Sequence, residues 1–154
     1  MQINFIQKFL GSGFYTGYIP FASGTFGSFA ALLIYYIPGF ENPAIILPAI
    51  FLFFIYGIDV GNLFEKKYGK DPSECTIDEV VGMWITLLFL PKIWYLSLTA
   101  FFVWRIMDIV KPYPARKLES LKGGIGIMID DVIAAIYSLI IMQIIYWFLL
   151  NNII

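Results

Sequence analysis

Four long apolar stretches organise the chain: Ala22–Pro38, Pro43–Gly61, Val80–Ile109 and Ile125–Leu150. A helix rises about 1.5 Å per residue and the hydrocarbon core of a bilayer is about 30 Å thick, so one crossing takes roughly 20 residues. The second and fourth stretches meet that length, the first falls slightly short, and the third is too long for a single helix. Pro91-Lys92 interrupts the third stretch. Proline disfavours helix at the residue before it, so the pattern predicts a hairpin with arms at about Asp78–Leu90 and Ile93–Val110, the first arm not necessarily spanning. Met1–Leu10 has a weak basic region and no A-x-A-like site, which predicts an interfacial amphipathic helix and not a cleaved signal. The expected fold is an all-α, polytopic integral membrane bundle of about four to five transmembrane or re-entrant helices. The N-terminal interfacial helix is added to these, in one domain over residues 1–154.

Composition agrees with a lipid environment. Of the 154 residues 60% are apolar and 14% charged, against roughly 25% charged in soluble domains. The formal charge of −1 includes no basic run to neutralise a phosphate backbone, which sets nucleic-acid binding aside. The chain has no histidine, which removes Ser-His-Asp triads, phosphohistidine chemistry and ordinary zinc sites. Cys75 stands alone, so there is no intrachain disulfide, and no arginine follows it closely as a cysteine phosphatase would require. Any acid, base or metal chemistry falls to carboxylates.

The basic residues predict an orientation. Lys8, Lys66, Lys67, Lys70, Lys111, Arg116, Lys117 and Lys122 fall on one side of the predicted helices and Lys92 alone on the other. By the positive-inside rule the first side is cytoplasmic, with the N-terminus in and, for five crossings, the C-terminus out.

The polar segments all meet helix ends on that same side. Gly17–Ser28 (GYIPFASGTFGS) precedes the first apolar helix and Asp71–Gly82 (DPSECTIDEVVG) opens the third. Arg105–Arg116 (RIMDIVKPYPAR) closes the fourth, and Gly123–Asp131 (GGIGIMIDD) opens the fifth. Ionisable groups near hydrocarbon are costly unless paired, hydrated or bound to metal, so their gathering at one level points to a site. Asp78, Glu79, Asp108, Asp130 and Asp131 offer hard oxygen ligands of the kind that select Mg²⁺, Mn²⁺ or Ca²⁺. Helix capping is an equal explanation for Asp78-Glu79 taken alone, and explains less of Asp130-Asp131 inside an apolar run. Arg105, Asp108 and Lys111 share a helix face, either as a snorkelling ion pair or as an anion clamp with Arg105 and Lys111 as phosphate donors. Gly24, Thr25 and Ser28 lie in a small hydroxyl-rich turn suited to a phosphate oxygen, although an N-cap with small-residue packing explains the turn in isolation. Asp59 reads as a polar residue at a helix end.

A divalent metal on carboxylates beside cationic donors suits hydrolysis of a lipid phosphomonoester. The competing class is a small cation-binding transporter or channel subunit using the same acids. An ion pathway would place ionisable groups at several depths, whereas here they lie at one.

In order and spacing, SGTFGS (23–28), DPSECTIDEVVGMWI (71–85), RIMDIVKPYP (105–114) and GGIGIMIDD (123–131) resemble the phosphatidylglycerophosphatase A family. Ser23, Cys75 and Ala135 depart from residues common there, and none of these removes a charge. The resemblance implies a Mg²⁺-dependent bacterial enzyme that converts phosphatidylglycerophosphate to phosphatidylglycerol and inorganic phosphate. It further implies a multi-pass protein of the cytoplasmic membrane with its active site facing the cytoplasm. The implied catalytic residues are Asp78, Glu79, Asp130 and Asp131, with Gly24, Thr25, Ser28, Arg105 and Lys111 binding substrate. Asp78, Glu79, Asp108, Asp130 and Asp131 are the implied metal ligands. Oligomeric state is left open.

Overall fold

A computed structural model describes residues 2–153, and all regular structure among them is helical. Helix α1 (Phe5–Gly11) begins where Asn4 and Gln7 cap each other: the Asn4 side chain accepts from the Gln7 amide and the Gln7 side chain from the Asn4 amide. It leaves Phe5 and Ile6 exposed, and Met1 lies outside the described residues. A 3₁₀ turn (Thr16–Tyr18) leads into α2 (Ser23–Tyr35). Helix α3 (Pro43–Tyr68) starts at the Asn42 cap with proline in its first turn, and runs seven residues past Gly61, carrying Glu65, Lys66 and Lys67 beyond the apolar stretch. Asp59 is exposed.

The hairpin at Pro91 forms, but its first arm, α4 (Ile77–Thr86), ends four residues before Leu90. The chain there turns through Phe89, whose φ of 62° leaves helical space, before α5 (Trp94–Val110). A one-turn helix, α6 (Ala115–Leu118), follows Pro114, and α7 (Gly124–Ile153) closes the fold.

Among the described residues two helices, α3 and α7, are long and apolar enough to cross a membrane, which corrects the expected count of four to five. The other three have 13, 10 and 17 residues, about 20, 15 and 26 Å of helix, and fall short of a 30 Å core. The reason is visible for α4: all ten of its residues are buried, and it packs against α2, α3, α5 and α7, so its apolar run serves protein contact and not lipid contact. The most apolar windows of α3 and α7 are only 22% buried, unlike the core helix of a soluble protein. Phe51, Leu52, Ile140 and Trp147 accordingly face outward. The two long helices meet through small residues, with Gly61 so close to Gly124 that a Cβ would stand 2.8 Å from its Cα.

The SGTFGS segment is also corrected. It is not a turn before the helix but the first turn and a half of α2 itself, with Ala22 in left-handed geometry (φ 48°) as its N-cap. Gly24 and Gly27 therefore let α2 approach α4 closely. At the far end Lys92 donates to Glu41 at 2.6 Å and to the Ile37 carbonyl at 2.7 Å, tying the α2–α3 and α4–α5 links together.

Candidate active site

At the basic end of the bundle the starts of α2, α4 and α7, the end of α5 and the 69–76 loop surround a cavity of about 280 Å³. Its walls carry Asp71, Asp78, Glu79, Asp108 and Asp131, with Lys111 as the cation among them. Ser23, Gly24, Pro72, Ser73, Cys75 and Thr76 complete the lining. The loop is held by the Thr76 amide donating to the Gly11 carbonyl at 3.0 Å and by Thr16 and Thr76 hydroxyls 3.1 Å apart.

Asp78 and Glu79 occupy the first turn of α4, where the helix dipole favours anions, and the Glu79 amide donates to Asp78 Oδ1 at 2.9 Å. Carboxylate oxygens of Glu79, Asp108 and Asp131 all lie within 4.8 Å of one another, and all three residues are buried. Arg105 bridges two of them, ion-paired through Nη1 to Glu79 and through Nη2 to Asp108 Oδ2 at 3.2 Å. Its guanidinium is committed behind the acids and does not line the cavity. Lys111 lies 2.5 Å from Asp130 Oδ2, 3.4 Å from Asp131 Oδ1 and 3.9 Å from Asp108 Oδ1. Burial alone would push the Lys111 pKa down, but Asp131, Asp130 and Asp108 outweigh it and hold the ammonium above its ordinary range.

Lys111 reaches this position by ending α5 in left-handed geometry (φ 44°), its amide donating to the Met107 carbonyl at 2.8 Å. A non-glycine residue in that region is strained by about 1–2 kcal/mol. Pro112 continues the exit, since a residue before proline is pushed out of the right-handed helix.

The other expected residues separate by depth. Asp130, 100° around α7 from Asp131, turns to Lys111 and keeps a buried Oδ1 with no hydrogen-bond partner among the described residues. Ser28 is fully buried, donating to Glu79 Oε2 at 3.2 Å and accepting from Trp104 Nε1 at 2.9 Å. Thr25 is half-buried and outside the lining. Gly24 lines the cavity against Glu79.

Sequence reasoning passed over Trp104, whose indole fixes the Ser28 hydroxyl from a fully buried position. Gly82 makes room for it, a Cβ there overlapping the indole ring. Nothing in the local pattern marks this tryptophan; only the crossing of α5 over α4 does. Ser23, Asp71, Ser73 and Thr76 lay within segments singled out as polar. Cys75 belongs to the wall, but burial, reinforced by Asp78, pushes its thiol pKa well up, so it is a poor nucleophile.

Six carboxylates against two cations leave a formal excess of four negative charges in and behind this cavity. Buried like charges are stable together only when protonated or joined by a cation. Three converging hard oxygens, with a ligand span that a small side-chain movement closes to the 2.0–2.1 Å bonds of Mg²⁺, fit a divalent metal.

The sequence model of the family described as Phosphatidylglycerophosphatase A matches residues 9–146. An Escherichia coli protein named Phosphatidylglycerophosphatase A is 36% identical over 132 residues, covering 84% of this chain and 77% of that protein. Its Haemophilus influenzae namesake is 39% identical over 145 residues, covering 91% and 89%. A Bacteroides thetaiotaomicron protein provisionally named as a phosphatidylinositol-3-phosphatase is 40% identical over 153 residues, covering 94% and 96%. No solved structure matches the chain significantly.

Proposed function

The chain belongs to the phosphatidylglycerophosphatase A family, a family of lipid phosphatases, and from that premise we propose that it hydrolyses the terminal phosphomonoester of phosphatidylglycerophosphate. The products are phosphatidylglycerol and inorganic phosphate, a step of glycerophospholipid synthesis. The observation that carries the reading is the meeting of Glu79, Asp108 and Asp131 with Lys111 in one cavity. A transport pathway has no use for an ammonium at the centre of its acids, whereas a phosphate group meets both a metal and a cation there.

Glu79, Asp108 and Asp131 would hold Mg²⁺, with Asp78 and Asp130 completing the acidic surround. The metal, when bound, supplies neutralisation of the phosphate and a lowered pKa for the attacking water. Lys111 binds a phosphate oxygen at the cavity wall. Arg105 and the Trp104–Ser28 pair hold the Glu79 carboxylate, so that it needs no reorganisation as charge develops. Asp78, whose Oδ2 makes no hydrogen bond among the described residues, is placed to take the proton of the incoming water. Gly24 gives the Glu79 carboxylate its space, and Ser23 beside it forms part of the cavity wall.

In this reading the protein crosses the membrane of a bacterial cell more than once, with α3 and α7 spanning and the shorter helices embedded between them. The basic end, and with it the active site, faces the cytoplasm. The outward apolar side chains of α3 and α7 support a lipid surround.

The test is phosphate release by purified protein in detergent, comparing phosphatidylglycerophosphate, phosphatidylinositol 3-phosphate and a soluble monoester, each with Mg²⁺ or with chelator. Release from the first lipid that stops on chelation is expected. No release from any lipid phosphate would overturn the reading.

A further inference from the structure

A second cavity, of about 240 Å³, adjoins the first and shares Ser23 and Ser73 with it as a common wall. Its other principal walls are Gly17, Tyr18, Pro20 and Glu74. The local backbone builds this shape: Tyr15 (φ 69°) and Ala22 (φ 48°) are both left-handed, and the 3₁₀ turn between them packs against α2. Gly17 then lets the 69–76 loop dock on the 3₁₀ turn, since a Cβ at Gly17 would stand 2.7 Å from the Glu74 carbonyl carbon.

The chemistry of this cavity differs from that of its neighbour. No lysine or arginine lines it, so it is not a second phosphate site. The hydroxyls of Ser23 and Ser73 and the carboxylate of Glu74 make no hydrogen bond or ion pair within the described residues, so all are free to meet a ligand. A carboxylate accepts only, and each serine both donates and accepts, a set that matches a free hydroxyl group beside the phosphate-bearing carbon. The shared serine wall lies beside the cavity that holds Lys111 and the acids.

Resting on the phosphatase reading above, we propose that this second cavity is a polyol subsite: it takes the hydroxyl-bearing carbon skeleton that carries the scissile phosphate, with Glu74 accepting from, and Ser73 donating to, the free hydroxyl beside the phosphate ester. The glycerol headgroup has one free hydroxyl next to its phosphate-bearing carbon and an inositol headgroup has such hydroxyls too, which lets one scaffold serve lipid phosphates of either kind.

The test uses the full chain in mixed micelles, with Glu74→Gln and Glu74→Ala assayed on phosphatidylglycerophosphate, phosphatidylinositol 3-phosphate, phosphatidic acid and p-nitrophenyl phosphate. The last two lack the polyol. Each variant is expected to lose about tenfold in kcat/KM, carried mainly by KM, on whichever polyol lipid the wild type turns over. Activity on the substrates without a polyol, and the thermal midpoint, are expected to stay unchanged. An equal loss on all substrates would show a general structural effect, and no loss on the polyol lipid would show an idle cavity; either overturns the subsite. In both of those outcomes the phosphatase reading stands, because the wild type is active. A wild type inactive on every lipid phosphate overturns the phosphatase reading and the subsite with it.

Discussion

Gly24→Ala tests whether the site depends on the close approach of α2 to Glu79. Gly24 has ordinary helical geometry, so alanine adds no backbone strain, and in open space it would stabilise the helix by about 0.5–1 kcal/mol. Its methyl would instead overlap Glu79 Oε1 and stand 2.9 Å from the carboxyl carbon. Non-bonded carbons settle about 3.5–4.0 Å apart, so the carboxylate must retreat by roughly 1 Å. A free glutamate would swing aside at little cost, but Arg105 and Ser28 hold the other oxygen of this one. Each hydrogen bond to a charged group contributes about 1.5–3 kcal/mol net, and a 1 Å misplacement at a reacting centre costs on the order of 10²-fold in rate. The expected result is a roughly hundredfold fall in kcat, with the thermal midpoint lowered by what about 1–2 kcal/mol of overpacking removes. Phosphate release in detergent and a melting curve on the same sample measure both. Combining Gly24→Ala with Glu79→Asp, which draws the carboxylate back by one methylene, should give a loss smaller than the sum of the two. Activity within twofold of wild type in Gly24→Ala would refute the account of Glu79 as a fixed ligand.

Asp131→Asn should abolish metal-dependent release while leaving the metal-free protein at least as heat-stable as wild type, because a buried like charge is gone; a melting curve and a Mg²⁺ titration check this. Lys111→Met should lose about 2–4 kcal/mol of transition-state stabilisation and Lys111→Arg an intermediate amount, read from kcat/KM; wild-type rates in both would remove Lys111 from the site. The Cys75 thiol should resist a maleimide at pH 7–8 in the folded protein and react once unfolded, since its raised pKa leaves little thiolate and its sulfur is buried. In intact cells, impermeant reagents should reach a cysteine placed at Asn42 and miss those at Lys67 and Lys117; labelling at Lys117 from outside would reverse the orientation.

The helical class, the break at Pro91 and the gathering of four polar segments at one end are all legible in the order of the residues. Each of these is local: hydrophobic runs fix helices, proline forbids one to continue, and helix order alternates the ends. The sequence also contains a geometric statement about its acidic pairs. Adjacent helical residues point about 100° apart, so Asp130 and Asp131, like Asp78 and Glu79, cannot serve one centre equally.

Which carboxylates converge on one point depends on tertiary packing. Glu79, Asp108 and Asp131 come from three helices, and their convergence depends on how α4, α5 and α7 are rotated against one another. That rotation is set by contacts far apart in sequence, such as Gly82 against Trp104 and Gly61 against Gly124. The same packing withdrew Arg105 and Ser28 behind the carboxylates they hold and left Lys111 at the wall. It also made α4 a buried helix where its apolar run read as an arm of a membrane hairpin, because hydropathy records that a surface avoids water and not whether lipid or protein covers it.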